Sequence, residues 1–117
     1  MITHVINSVQ CIDLVDSGPM PNPLSGSPQT QARRIQVEGV PGAESGVWEC
    51  SVGSWRRATP NAEVMHFVAG NCIFTPDGQP PLRIRAGDTV VFPVDTNGVW
   101  EVYEPIRKVY VTLSKPV

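Results

Sequence analysis

The chain has 117 residues, among them twelve prolines and ten glycines, and a formal net charge of -2. This length predicts one domain, which can bury a core but is too short for separate catalytic and binding domains. Nine basic residues against eleven acidic ones exclude the basic footprint of a nucleic-acid-binding protein, and no apolar run has the length of a membrane-spanning segment.

The first 31 residues predict an edge strand followed by an extended arm. Residues 2–14 mix apolar and polar side chains with weak alternation, which favours the strand. Residues 17–28 are too rich in proline for a helix or a central strand, because proline lacks the backbone donor and fixes φ. We expect this segment to lie as an arm on the rest of the fold, and a flexible linker is the alternative.

From residue 32 to residue 117 the pattern is typical of a small barrel or sandwich of short strands. Residues 69–71 predict the turn of a hairpin, and residues 76–78 carry the proline and Asp-Gly chemistry of a second tight turn. No stretch has a convincing helical pattern, so the fold class is all-β. The predicted strands are 34–37, 46–52, 63–68, 72–75, 81–85, 89–92, 99–103 and 107–113.

Eight short segments carry a family resemblance in a fixed order. They are 46–50 (Gly-Val-Trp-Glu-Cys), 53–56 (Gly-Ser-Trp-Arg), 63–70, 74–78, 86–88 (Ala-Gly-Asp), 92–93, 98–100 and 104–108. Together they resemble the small cupins related to the cupin domains of (S)-ureidoglycine aminohydrolase and of an ethanolamine-utilisation protein. The resemblance implies a single-domain cupin barrel, a double-stranded β-helix or jelly roll, with a pocket for a metal or small ligand at one mouth.

Glu63 is the first site candidate, since it matches the glutamate of the first cupin block. Period-two alternation places Met65 and Phe67 on its inward face and His66 on the other. A carboxylate inside a barrel needs a cation, a metal or donors to compensate it. Arg56 or Arg57, which stand where the family carries a histidine pair, could compensate Glu63, either beside a ligand or as an ion pair that only closes the barrel.

Aromatic residues give further candidates for the pocket. Trp55 and Trp100 lie in segments that match the two cupin blocks, and tryptophan offers an apolar face and one donor to a planar or cationic ligand. Tyr103 could add a hydroxyl donor. The alternative is that the tryptophans, with Trp48, fill the barrel or a subunit interface.

The charged segment 104–108 predicts a solvent-exposed corner between two strands. A solvated ion pair in a turn is the favoured interpretation, because surface pairs contribute little to stability. The alternative is that Arg107 or Lys108 attracts an anionic ligand.

The resemblance implies a metal held by three histidines and a carboxylate, but the chain contains only His4 and His66. We therefore expect no cofactor. A bound divalent metal (Mn, Ni, Fe or Zn) would have to use a reduced set of Glu63, Cys50 and Cys72. The odd number and wide spacing of the cysteines predict reduced thiols rather than a disulfide framework.

These features predict a cupin that binds a small polar, nitrogen-containing metabolite through Glu63, Arg56, Trp55, Trp100, Met65, Phe67 and Tyr103. Two alternatives stay open: a metal-dependent enzyme of the ureidoglycine aminohydrolase type, and a non-catalytic dimeric assembly module. The amino terminus lacks the pattern of a signal peptide. We expect a cytoplasmic homodimer with no nucleic-acid or membrane partner, and the candidate interface residues are Ile12, Leu14, Val109 and Val111.

Overall fold

The computed structural model describes residues 2–116, over which the chain forms eight strands and no helix. The predicted all-β fold class is confirmed. The strands are β1 (Val15–Pro19), β2 (Gln29–Gln36), β3 (Ala43–Cys50), β4 (Gly53–Thr59), β5 (Ala62–Pro76), β6 (Leu82–Arg85), β7 (Thr89–Phe92) and β8 (Thr96–Leu113). Residues 2–116 contain no helix long and apolar enough to cross a bilayer.

Two long antiparallel strands, β5 and β8, organise the sheet. The strand order is β1-β2-β3-β8-β5-β6, with β4 also paired to β8 and β7 also paired to β5. The first half of β8 pairs with β4 and its second half with β3, while β5 follows β8 along both halves. The strand β8 therefore runs between both ends of the barrel, and it contributes residues to the core and to the mouth.

The predicted hairpin at residues 69–71 is wrong. The chain does not reverse there, because β5 continues through this segment and stays paired to β8. The register shifts between Phe67 and Cys72, and Gly70 has a φ of +95°, so the segment is a bulged bend within one strand. The predicted corner at 104–108 is also wrong, since these residues lie inside β8.

In the amino-terminal region, the edge strand lies at a different position from the one predicted. The edge strand is β1, not residues 2–14, and it pairs with β2. The proline-rich segment lies against β4, where the Leu24 N–H donates to Ser54 O at 2.8 Å and Pro28 is buried. β2 begins at Gln29, so this strand crosses the boundary drawn between residues 31 and 32.

The barrel interior is filled by alternate residues of the strands, as the period of two predicts. Glu63, Met65 and Phe67 are buried, whereas Val64 is 41% exposed. Aromatic rings occupy the centre: the ring centroids of Trp55 and Trp100 lie 6.2 Å apart in a stacked arrangement. The remaining core includes Cys50, Cys72, Phe74, Ile84, Phe92, Val102, Ile106 and Tyr110.

Candidate functional site

A buried ion pair lies where the sequence predicts a ligand-binding carboxylate. Lys108 Nζ donates to Glu63 Oε1 at 3.4 Å, and the two side chains are only 7% and 6% exposed. Lys108 reaches this position because the register of β8 sets it opposite Phe67 of β5 and Trp48 of β3. The cation that compensates Glu63 is therefore a lysine from the far end of the chain.

Aromatic rings surround the ammonium group of Lys108. Its Nζ lies 4.9 Å from the ring centroid of Trp48, 5.7 Å from that of Trp100 and 5.9 Å from that of Tyr110. Ring faces stabilise a cation in the absence of water, though less than a full set of acceptors would. Burial lowers the pKa of Lys108, and the Glu63 carboxylate opposes that shift.

The pair borders a cavity of about 240 Å³ at the barrel mouth. At its rim, Arg34 pairs with Glu44 at 3.3 Å, and the Tyr110 hydroxyl donates to the same carboxylate at 3.4 Å. Burial, with the nearby Glu44 charge, raises the pKa of Tyr110 to about 12, so its hydroxyl stays a neutral donor. The lining residues are Arg34, Glu44, Trp48, Arg57, Glu63, Lys108, Tyr110 and Thr112.

A larger hollow of about 440 Å³ adjoins this cavity near β2 and the start of β3. It is more open than the mouth cavity and no buried charged side chain lines it, so it offers a ligand weaker electrostatic contacts. The smaller cavity holds the buried pair and is the better site.

Arg57 is the one cation of the mouth without a carboxylate partner within ion-pair distance among residues 2–116. The other two, Arg34 and Lys108, are matched by Glu44 and Glu63. The mouth therefore carries one uncompensated positive charge.

Two predicted site residues lie away from the cavity. Arg56 faces solvent, and its guanidinium binds Asp77 at 2.9 Å, because adjacent residues of a strand point to opposite faces. It does not compensate Glu63. Tyr103 is 52% exposed on the outer face of β8, and its hydroxyl lies 3.4 Å from Glu101 Oε1.

Four other predicted site residues lie in the packed interior below the cavity. Trp55, Trp100, Met65 and Phe67 are each at most 3% exposed. Met65 still contacts the pair, since its Sδ lies 3.2 Å from Lys108 Nζ. Trp55 and Trp100 therefore fill the barrel, which is the alternative role that the sequence leaves open for the tryptophans.

The main residue that the sequence reasoning misplaced is Lys108. A usable signal exists: inward residues of β8 keep even numbers from Trp100 through Val102 and Ile106 to Tyr110. Continuing the alternation of residues 99–103 across Pro105 predicts that Lys108 faces inward. The predicted break at 104–108 concealed this continuity.

Arg107, the neighbour of Lys108, faces outward and holds the amino-terminal segment. Its guanidinium binds Glu49 at 3.0 Å and donates to the carbonyl oxygens of Val9 and Ile12 at 3.1 and 2.9 Å. It is therefore neither a solvated turn residue nor part of the cavity.

The residues at the mouth do not fit the metal site that the cupin fold implies. The ammonium of Lys108 already neutralises Glu63, and His66 points to the other face, where its Nδ1 lies 2.8 Å from Thr89 Oγ1. Burial raises the pKa of Cys50 to about 12 and that of Cys72 to about 11, so both are neutral thiols. In the described part of the chain, no three His, Cys, Asp or Glu side chains form a group that could hold a metal, and the set Glu63, Cys50 and Cys72 is not such a group.

Comparisons with known proteins identify relatives of the fold. A family model described as the EutQ-like cupin domain matches residues 41–110. A protein of unknown function from Pseudomonas syringae pv. tomato superposes with a TM-score of 0.77 and 21% identity over 86% of this chain. This chain spans 44% of that protein's length. No curated protein matches the sequence.

Two further structures share the fold at low identity. The Clostridium difficile EutQ protein has a TM-score of 0.73 and 16% identity, covering 92% of this chain and 84% of its own. The cupin domain of Schizosaccharomyces pombe Cnp3 has a TM-score of 0.67 and 13% identity, covering 92% of this chain and 72% of its own. At these identities the likeness is one of fold.

Proposed function

The chain belongs to the EutQ-like cupin domain family, and from this and the geometry of its mouth we propose that it binds a small, nitrogen-containing carboxylate without a metal at the cupin site. The observation that carries the proposal is Arg57, which has no ion-pair partner in the described part of the chain and lies at the rim of a cavity whose floor is the Lys108–Glu63 pair. The EutQ-like relatives share the fold, and the ligand class rests on the charges of this chain.

The size of the cavity favours a small ligand. Pockets for drug-sized molecules have volumes of roughly 300–1,000 Å³. The mouth cavity, at about 240 Å³, is smaller than that range. A molecule of amino-acid size fits it better than a nucleotide or a sugar chain.

The charges of the cavity favour a carboxylate on that ligand. Arg34 and Lys108 each have an acidic partner, which leaves Arg57 to bind an anion. A guanidinium holds a carboxylate through two parallel hydrogen bonds, and such charge-assisted bonds are the strong ones.

The remaining groups of the cavity suit polar nitrogen. Glu44 and Glu63 carry acceptor oxygens for N–H groups, and the hydroxyls of Tyr110 and Thr112 can donate or accept. The exposed part of Trp48 supplies an apolar face beside them. Amino, amide or ureido carboxylates combine these requirements.

The proposal is tested by calorimetric titration with small amino, amide and ureido carboxylates, each compared with its uncharged amide. We expect the carboxylates to bind and Arg57→Gln to weaken them about tenfold or more, since a hydrogen bond to a charged group contributes roughly 1.5–3 kcal/mol. Arg56→Gln is the matched control and should leave affinity unchanged, because Arg56 faces solvent. Equal effects of the two variants, or no binding of any carboxylate, would contradict the proposal.

Elemental analysis of protein purified without chelator tests the metal-dependent alternative. The alternative predicts about one equivalent of manganese, iron, nickel or zinc per chain, whereas the proposed site predicts none at the mouth. A stoichiometric metal that is lost in Glu63→Gln would favour the aminohydrolase-like enzyme.

A further inference from the structure

We propose that Lys108 is a nucleophilic amine that forms a reversible imine with a 2-oxo acid bound in the mouth cavity. The inference rests on the carboxylate-binding part of the proposed function, and it adds 2-oxo acids, which need not contain nitrogen, to the ligands of the same site. It adds a covalent step that binding alone does not require.

The first argument is the shortage of acceptors around Lys108 Nζ. An ammonium has three donors, and charge-assisted hydrogen bonds to carboxylates are typically about 2.7–2.9 Å long. Within the described part of the chain, Nζ contacts one carboxylate oxygen at 3.4 Å and one thioether sulfur, a weak acceptor, at 3.2 Å. This environment stabilises the protonated lysine only weakly, so the Lys108 ammonium can give up a proton to Glu63.

Burial and the charge of Arg57 also favour loss of the proton from Lys108. Burial is the largest influence on the amine and lowers its pKa, and the Arg57 charge lowers it further, while Glu63 raises it. A desolvated lysine near another cation is the usual arrangement of an amine that attacks carbonyl groups.

The second argument is that Lys108 borders an accessible cavity. The Lys108 side chain is only 7% exposed, yet it lines the same cavity as Arg57 and Glu63. Because Arg57 and Lys108 line the same cavity, we place the ligand with its carboxylate on Arg57 and its adjacent carbon toward Lys108. The group that a lysine amine attacks at that carbon is a carbonyl, and a carboxylate next to a carbonyl defines a 2-oxo acid.

The third argument is that Glu63 can move the proton. Transfer of one proton from the Lys108 ammonium to Glu63 gives a neutral amine beside a carboxylic acid. The amine attacks the carbonyl carbon, the C–N bond forms, and one amine proton passes to the former carbonyl oxygen. Glu63 then protonates the resulting hydroxyl, which leaves as water and gives a protonated imine. Ammonium and carbonyl have become iminium and water, with no oxidant or reductant.

Borohydride trapping tests the step with the intact chain. The protein is incubated with pyruvate, reduced with borohydride, digested and mapped by mass spectrometry. The sequence provides an internal control, because its lysines are Lys108 and the 52% exposed Lys115. We expect one reduced pyruvate adduct per chain at Lys108, blocked by excess lactate, which has the carboxylate but no carbonyl.

Two variants sharpen the test. Arg57→Gln should reduce the labelling rate of Lys108 about tenfold or more at low pyruvate, and Lys115→Arg should leave that rate unchanged. Because the wild-type map compares both lysines directly, the test does not depend on whether Lys108→Met folds.

The outcomes separate the inference from the proposed function. Pyruvate that binds in the calorimeter without labelling Lys108, or that labels Lys115 as fast, overturns the imine and leaves carboxylate binding standing. Failure of pyruvate and all other carboxylates to bind overturns both. Preferential labelling of Lys108 that depends on Arg57 supports the imine and the binding of a carboxylate by Arg57.

Discussion

At the scale of single residues, the site depends on the burial of Lys108. A buried ion pair is not by itself stabilising, because desolvation of both charges offsets their attraction. Removing one partner alone, however, leaves the other without compensation. Lys108 and Glu63 should therefore be strongly coupled in stability.

Lys108→Met should lower the free energy of unfolding by about 3–5 kcal/mol, the cost of breaking a buried pair from one side. Met retains most of the apolar contact with Trp48 and Trp100 but leaves the Glu63 carboxylate unpaired. The double variant Glu63→Gln with Lys108→Met should regain most of the loss, since neither charge then remains. Urea unfolding at neutral pH measures these two variants and the Glu63→Gln single variant, which completes the double-mutant cycle.

Additive losses in this double-mutant cycle would contradict the coupling. So would a Lys108→Met protein as stable as the wild type, because Lys108 and Glu63 would then not be a compensating pair.

Part of the site could be predicted from the sequence at this scale. The inward position of Glu63, and of Met65 and Phe67 in the core below it, follows from alternation within one strand and from the cupin resemblance. Lys108 did not follow, since a lysine beside an arginine, after Glu-Pro, has the composition of an exposed corner. Its burial depends on pairing with β3 and β5, which are distant in sequence.

At the scale of elements, the bend in β5 decides how β5 and β8 wrap the core. The sequence Ala-Gly-Asn predicts a turn because local turn residues do not distinguish a reversal from a bulge. What distinguishes them is the partner strand: β8 approaches so closely at Gly70 that a Cβ there would meet Pro105 O and lie 2.7 Å from Ile106 Cα. The short strands β6 and β7, by contrast, lie close to their predicted limits, since turn chemistry bounds them.

Gly70→Ala should destabilise the protein more than Gly78→Ala. Both glycines have a positive φ, +95° and +72°, so both substitutions carry a backbone cost of about 1–3 kcal/mol. Only at Gly70 does the new methyl group also meet the backbone of β8, whereas nothing lies within 4 Å at Gly78. Urea midpoints of the two variants, compared with the wild type, measure the difference.

Equal midpoints would show that the close approach at Gly70 relaxes without cost. The bend would then be set by backbone conformation alone and not by the contact with β8.

At the scale of the whole molecule, the outer face of the central strands carries a row of exposed valines. Val64 of β5 is the cross-strand partner of Val91 of β7 and of Val111 of β8, so the three side chains share one face. They are 41%, 68% and 37% exposed. The row includes Val111, one of the residues that the sequence suggested for an interface.

The homodimer expected from the sequence stays a prediction, and this row is where we place its contact. Cross-strand neighbours on one face form a continuous apolar surface, which a second copy can cover around a two-fold axis with the same residues from both chains. Light scattering after size exclusion should then give twice the chain mass, and Val64→Glu should raise the dimer dissociation constant about tenfold or more, because it would bury a charge.

Val52→Glu is the matched control, since Val52 is 51% exposed but lies outside the row, between β3 and β4. It should leave the mass unchanged at every concentration. A wild-type protein that stays monomeric at high concentration would exclude the dimer, and dissociation by both variants would move its contact away from the valine row. Because the Lys108–Glu63 pair lies inside the barrel, on the side of the sheet opposite Val64, ligand affinity at the mouth should be the same in monomer and dimer.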